Sequence, residues 1–308
     1  MSRTITLLRH AMPETDTGAS PDTWPLSTDG VAAASGLLLA AGTVVSSPER
    51  KARQTAALAC GIETESIEQD ARFREVDRVE RVYDGFREAR RAWVAGQLDE
   101  RHEWWETPDA AAQRFHDGLF AHPAEHLVVG THGMVLTSWL VAQGLVGAGD
   151  EAVAFWEALR FPDALQLTLP LLRVRAVLTD AHGRFVLIRR TRPGQDPYWT
   201  APGGGVQLND SSAEAALRRE LREELGATVD VGSVLFERGL DSLRSEIFYA
   251  AALTHLDSSL RDGPELVAPA RGAYDVEFVT RDELASLDLR PEELKESLVT
   301  RRDAARRR

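Results

Sequence analysis

Apolar residues in the first half of this chain fall into short runs that alternate with amphipathic stretches. Ile5 to Leu8, Val44-Val45 and Leu127-Val128-Val129 read as buried strands. Asp29 to Ala41, closed by Gly42, and Glu49 to Ala59 read as helices, and a further helix begins at about Met134. This alternation predicts a parallel, helix-covered sheet. The charged, Trp-bearing stretch from Arg72 to Phe120 predicts a mainly helical cap over the strand ends. Within it His102-Glu103-Trp104-Trp105-Glu106 lacks the second histidine of a zinc-protease helix and reads as an amphipathic cap helix. A last strand, Leu165 to Leu169, stops at Pro170, and a fresh one begins at Arg173 to Leu178, so the domain boundary is expected near Pro170, giving domains 1–170 and 171–308. No Gly/Ser-rich or Pro-rich tether intervenes, which predicts domains packed together. The second half shows a hairpin signal at Asp180-Ala181-His182-Gly183, a Pro202-Gly203-Gly204-Gly205 loop, one strong helix, further strands and a final helical segment. The Arg-rich end, Arg301 to Arg308, reads as a solvated tail.

Composition narrows the class. A length of 308 residues favours two cores over one, and 43% apolar with 27% charged residues is the balance of a globular rather than a disordered chain. A net charge of -12 argues against nucleic acid polymers as partners, because their backbone is repelled at long range. Small phosphorylated ligands need only a local positive cluster, and the basic residues are nearly all Arg, whose fork fits phosphate oxygens. The single cysteine, Cys60, excludes an intrachain disulfide and a thiolate metal cluster. The longest apolar stretch, Val31 to Val45, is short for a membrane span and is interrupted by Ser35, Gly36, Gly42 and Thr43. With no signal-peptide pattern after Met1, the expected location is the cytoplasm, with no membrane partner. A homo-oligomer is compatible with these features.

The strong helix carries chemistry. Ser211-Ser212-Ala213-Glu214 fits a capping box and Gly226 a left-handed C-cap, which bounds a helix from about 212 to 225. Leu217, Leu221 and Leu225 form its buried stripe, and Glu220, Glu223 and Glu224 share one flank. Crowded carboxylates repel unless a positive group lies among them, and oxygen donors at this density suit Mg²⁺ or Mn²⁺. In isolation the helix equally reads as a solvated Glu/Arg face balanced by Arg218, Arg219 and Arg222. The preceding loop changes that weighing. Trp199-Thr200-Ala201-Pro202-Gly203-Gly204-Gly205, followed by Arg219-Glu220-Leu221-Arg222-Glu223-Glu224-Leu225-Gly226, resembles the Nudix box, G-x5-E-x7-R-E-U-x-E-E-x-G-U with U aliphatic. Its first Glu slot falls on Ser211, and Asp210 is the nearer chemical match at the cost of one extra residue before the helix. The resemblance implies an α/β/α sandwich that hydrolyses a nucleoside diphosphate-linked pyrophosphate. Glu220, Glu223 and Glu224 would hold divalent metal, Glu223 being also catalytic, and Glu265 would be an additional loop ligand. Arg219 would orient the glutamates, with Gly204 and Gly205 at the substrate.

In the first half, Leu7-Leu8-Arg9-His10-Ala11 places Arg and His at the end of a buried strand, where open α/β sheets keep their chemistry. Partners follow in order: Ser46-Ser47-Pro48 with Arg50-Lys51-Ala52-Arg53-Gln54-Thr55-Ala56, then Phe73-Arg74-Glu75-Val76, then Val128-Val129-Gly130-Thr131-His132-Gly133-Met134. Over residues 1 to about 170 this set resembles the histidine phosphatase (phosphoglycerate mutase-like) superfamily, which implies a three-layer α/β domain. His10 would attack phosphorus to form a phosphohistidine. Arg9 and His132 would stabilise the phosphoryl oxygens, and Glu75 would protonate the leaving oxygen and then activate water. Arg50 would bind substrate. Where the family places its second phosphate-clamping arginine this chain has Lys51, which keeps the charge but loses the bidentate fork.

Together these resemblances imply a bifunctional phosphohydrolase acting on a small phosphorylated substrate of nucleotide type. Bacterial proteins that combine the two families resemble housecleaning enzymes for damaged nucleotides, usually with the opposite domain order. Two rivals stand beside this reading: a Nudix hydrolase whose phosphatase half is catalytically impaired and structural, motivated by Lys51, and a non-catalytic nucleotide-sensing regulator, motivated by Ser211 and Lys51 together.

Overall fold

The computed structural model describes residues 3–40, 42–78, 85–192, 194–262 and 273–305. Its contacts divide the chain into two compact units, Met1–Leu171 and Leu172–Arg308. No helix among the described residues is long and apolar enough to cross a membrane.

The first unit runs β1 (Arg3–Arg9), α1 (Thr28–Ser35), β2 (Thr43–Ser46), α2 (Arg50–Cys60), β3 (Glu68–Gln69), α3 (Phe86–Val94), α4 (Pro108–Ala121), β4 (His126–Thr131), α5 (Gly133–Gln143), α6 (Asp150–Ala158) and β5 (Asp163–Leu169). Its sheet has the order β3-β2-β4-β1-β5. The strands β1 to β4 are mutually parallel, while β5 runs antiparallel along β1 from Arg3↔Leu169 to Arg9↔Asp163. The sheet is therefore mixed, not wholly parallel, because the chain returns from α6 along the free edge of β1. On one face Leu8 and Val128 pack against Ala56, Ala57 and Ala59 of α2. Helix α5 packs on α4 and against β1, and its Met134, Val135, Leu136, Trp139 and Leu140 are all buried, as expected of a helix apolar on every side.

Two local expectations change. The first helix ends at Ser35, well short of Ala41: Gly36 caps it, and Leu39 instead donates its N–H to Ala59 O at the end of α2. The His102 segment forms only a 3-10 turn, Glu100–His102. Buried His102 bonds Ala89 O through Nε2 at 2.8 Å, so it ties the turn to α3 instead of starting a helix.

The second unit runs β6 (Leu171–Thr179), β7 (Phe185–Thr191), β8 (Tyr198–Thr200), α7 (Ala213–Leu225), β9 (Ala227–Gly239), β10 (Arg244–Leu256), β11 (Ala273–Val279), α8 (Arg281–Leu284), β12 (Leu289–Arg290) and α9 (Glu292–Ala305). The strand order is β12-β8-β7-β6-β10-β9, with β11 antiparallel to β7. Period-two alternation builds two cores on opposite faces. Ala176, Leu178, Val186 and Ile188 meet Leu217, Leu221 and Leu225 of α7, whereas Val177, Phe185 and Leu187 meet Leu284, Leu294 and Leu298. This is an α/β/α sandwich. The N-cap of α7 is Ser212, which accepts the Ala215 N–H at 3.1 Å; the helix starts one residue later than a Ser211 capping box requires. Gly226 closes it at φ 70 and lies so close to Asp257 O that a β-carbon there has no room.

Candidate functional sites

In the first unit the side chains converge at the carboxyl ends of β1, β2 and β4. The pairings Arg9↔Thr131 and Ser46↔Gly130 bring the segments that follow these strands side by side. Thr55 of α2 accepts the Ala11 N–H at 2.9 Å and fixes the turn after His10. His10 and His132 are both buried, with ring centroids 5.1 Å apart. His10 Nδ1 lies 2.8 Å from Ala11 O; a carbonyl only accepts, so Nδ1 carries the proton and Nε2 keeps its lone pair. Burial, then His132, push the His10 pKa well below its ordinary value, and burial does the same to His132, so both imidazoles are neutral at pH 7.

Cations surround the pair. The Arg9 guanidinium bonds Leu159 O at 2.6 Å and lies over the Phe161 ring, 3.6 Å from its centroid. Burial lowers its pKa to about 10. Arg9, Arg87, Arg90, Trp156, Glu157, Leu159 and Phe161 line a cavity of about 330 Å³. Lys51 is buried on the first turn of α2, with Nζ on Pro21 O at 2.7 Å and on Glu49 at 2.5 Å. Arg50 is exposed at the first position of the same helix.

Glu75 is bound to the N-terminus of α5. Its carboxylate accepts the N–H groups of Met134 at 3.3 Å, of Val135 at 3.0 Å and of Val76 at 3.0 Å. Burial opposes its charge, yet Arg78, His132 and these N–H groups outweigh burial and hold its pKa at about 2. An ionised Glu75 is arranged to accept a proton. Donating one to a leaving oxygen, the other role expected of it, requires that Glu75 first be protonated.

In the second unit Arg219 is the hub. It takes Asp210 through Nε and Nη2 at 3.1 and 2.9 Å, Gly205 O through Nη2 at 3.0 Å, and Glu220 and Glu223 through Nη1 at 3.0 and 3.1 Å. Asp210, not Ser211, thus meets the arginine. The 202–206 loop is stitched to β6 by Ala176 N–H to Pro202 O, Val174 N–H to Gly204 O and Val206 N–H to Leu172 O. Glu224 turns toward this loop and accepts the Gly203 N–H at 2.8 Å. The Glu220 carboxylate rests on Gly204, where a β-carbon would sit 2.4 Å from it. Burial raises the pKa of Glu220 despite the nearby Arg219, Arg175 and Arg173. Burial and the neighbouring Glu220 charge outweigh Arg219 and raise Glu223 as well.

Family models match both halves: "Histidine phosphatase superfamily (branch 1)" over residues 5–152 and "NUDIX domain" over residues 169–298. The chain joins a histidine phosphatase domain to a NUDIX domain. It is a hydrolase that acts on phosphate bonds. A search of curated proteins finds no match. Among solved structures it is similar to the E. coli ORF135 protein, at 25% identity over 44% of this chain and 91% of that one, with a TM-score of 0.32. MutT of Aliivibrio salmonicida and Vibrio cholerae matches at 22% identity over 42% and 98%, with a TM-score of 0.31. A mycobacterial glucosyl-3-phosphoglycerate phosphatase matches at 22% identity over 55% and 91%, with a TM-score of 0.40.

The NUDIX domain's donors fit a hard divalent cation in chemistry: they are all carboxylates, and burial disfavours the charge of two of them even with Arg219 between them. In their present rotamers, no group of three His, Cys, Asp or Glu among the described residues is close enough to hold one ion. Glu265 lies outside the described residues. In the histidine phosphatase domain one residue escaped the sequence reading. Glu49, read from the sequence as the first residue of a helix, instead lies just before α2 as its N-cap. Its side chain makes no cap hydrogen bond and points instead at Lys51 and His132. The only signal was its place between Ser46-Ser47-Pro48 and Lys51.

Proposed function

We propose that the protein is a bifunctional phosphohydrolase. In this reading the NUDIX domain cleaves a nucleoside diphosphate-linked pyrophosphate and the histidine phosphatase domain hydrolyses a phosphomonoester through phosphohistidine. The observation that carries the phosphatase half is the tautomer of His10: a neutral imidazole, fixed by Ala11 O, with its Nε2 lone pair available beside a second buried histidine. In-line attack by Nε2 forms a phosphorus–nitrogen bond as the bond from phosphorus to the ester oxygen breaks, and the departing oxygen takes its proton from solvent. Arg9, Lys51 and His132 are the groups nearest to take the phosphoryl charge, and Glu75 takes a proton from the water that releases phosphate.

In the NUDIX half, Glu220, Glu223 and Glu224 would hold Mg²⁺ or Mn²⁺, which when bound neutralises phosphate charge and acidifies the attacking water. Arg219 orients Glu220 and Glu223 from one nitrogen, and Gly204 makes room for the Glu220 carboxylate. The substrate is small and nucleotide-like, and the domains divide near Pro170.

A panel of nucleoside monophosphates and other phosphomonoesters, nucleoside triphosphates, oxidised nucleotides, dinucleoside polyphosphates and nucleotide sugars, assayed with metal, tests this. His10→Ala is expected to cut phosphomonoester hydrolysis by about a thousandfold or more and spare pyrophosphate cleavage; Glu223→Gln should do the reverse. Phosphomonoesterase activity unchanged in His10→Ala would sink the phosphatase half. One observation favours a second reading, a NUDIX hydrolase with an impaired phosphatase domain: Lys51 is engaged by Glu49. No phosphomonoester turnover by the wild type across the panel would select it.

A further inference from the structure

The Glu49 carboxylate lies among the groups that the phosphatase reading assigns to the phosphoryl group. Its Oε2 is 2.5 Å from Lys51 Nζ, its Oε1 is 3.2 Å from His132 Nε2, and Oε1 also accepts the Glu75 backbone N–H at 2.8 Å. His132 Nε2 is further shared with Ser47 Oγ at 2.9 Å. An anion among three donors, with its side chain 12% exposed, is what a bound phosphate would show there. Helix α2 does not call for this pose, since Glu49 caps the helix with its backbone carbonyl and makes no side-chain cap hydrogen bond. We propose that Glu49 is an internal competitor for the phosphoryl group: its carboxylate takes the Lys51 and His132 donors, and a phosphate dianion enters only by displacing it.

This inference rests on the phosphatase reading of the first domain. It makes Glu49 a specificity-determining residue. A substrate whose phosphoryl group is the sole anchor pays the displacement of Glu49 in full. One that gains additional contacts along the cavity lined by Arg9, Arg87, Arg90 and Glu157, where three arginines outnumber one acid, offsets that loss, so esters with a second anionic group are favoured over simple monoesters.

The test is isothermal titration of the full-length protein with inorganic phosphate, for wild type, Glu49→Gln and Glu49→Gln with Lys51→Ala. Gln keeps the shape and removes the charge, so Glu49→Gln is expected to bind phosphate roughly 10- to 100-fold more tightly, the gain from freeing one charge-assisted contact. The added Lys51→Ala should erase the gain. Equal or tighter binding by the wild type than by Glu49→Gln overturns the competitor role and leaves the phosphatase reading standing. Absence of phosphate binding in all three, with unaltered circular dichroism, overturns the phosphatase reading and this inference with it. Glu49→Ala checks that the Gln amide itself is not the source: it too must bind more tightly than wild type, and a failure to do so overturns the inference.

Discussion

At the end of β1 the first unit buries two imidazoles and strips them of charge, whereas on α7 the second unit buries a guanidinium among carboxylates and keeps it charged. The difference follows from the partners on offer. His10 faces a carbonyl, another imidazole and two cations, so neutrality is its cheapest state. Arg219 has Asp210 on one side and Glu220 and Glu223 on the other, and cannot lose its proton. A neutral imidazole keeps the lone pair that a nucleophile needs, and carboxylates gathered by an arginine have the chemistry that suits a hard cation. The histidines lie deeper than Arg219, and the charges that face each group set the state it holds.

Removing the hub should hurt most. Arg219→Ala leaves three carboxylates without their shared partner and is expected to cost the second unit about 3–5 kcal/mol, read as faster hydrogen exchange along α7 with α5 unaffected. Glu75→Gln, which discharges the acid at the start of α5, is expected to cost the first unit about 1.5–3 kcal/mol, read on α5 amides. The glycine loop offers an internal contrast. At Gly203, φ is +132 and a β-carbon would meet Val174 O at 2.2 Å, so Gly203→Ala should cost about 1–3 kcal/mol. At Gly204 the obstacle is the movable end of Glu220; Gly204→Ala should leave the melting temperature nearly unchanged while lowering pyrophosphate cleavage. If Gly204→Ala retained full activity, the position assigned to Glu220 would be wrong.

Acid should separate the two units by a smaller amount. His10 and His132 resist protonation in the folded chain but not in the unfolded one, so below about pH 6.5 the unfolded state binds more protons and the first unit loses stability as pH falls. Glu75, held at about 2 against an ordinary 4.5, adds to that loss below pH 4.5. Glu220 and Glu223 carry the opposite sign: raised in the folded state, they stabilise the second unit as pH falls toward 4.5 and cost stability as pH rises above it. Hydrogen exchange on α5 and α7 between pH 7 and pH 5 should therefore diverge, and parallel behaviour would refute the contrast.

Local pattern carried much of this. Leu217, Leu221 and Leu225 mark a helix at any distance from the rest of the fold, because their spacing is a property of the helix alone. Gly226 likewise announces its C-cap, needing a left-handed φ that few other residues take without strain. The start of α7 was less legible: the Ser211–Glu214 spacing points to Ser211 as the cap, yet the neighbouring Ser212, with the same hydroxyl, takes the role. The ladder on which β5 returns antiparallel was hidden too, because strand direction is set by the path of α6 and not by the strand's own residues.

The order of motifs along the chain determined the two domains, their layers and the residue types available to each site, since these depend on periodicity, caps and spacing that neighbours in sequence control. Only the tertiary structure decided which of those residues meet. Asp210 reaching Arg219, Glu75 capping α5 and Glu49 turning into the histidine pair all depend on distances across 9 to 83 positions of chain, where electrostatics and burial act through space and leave no periodic trace.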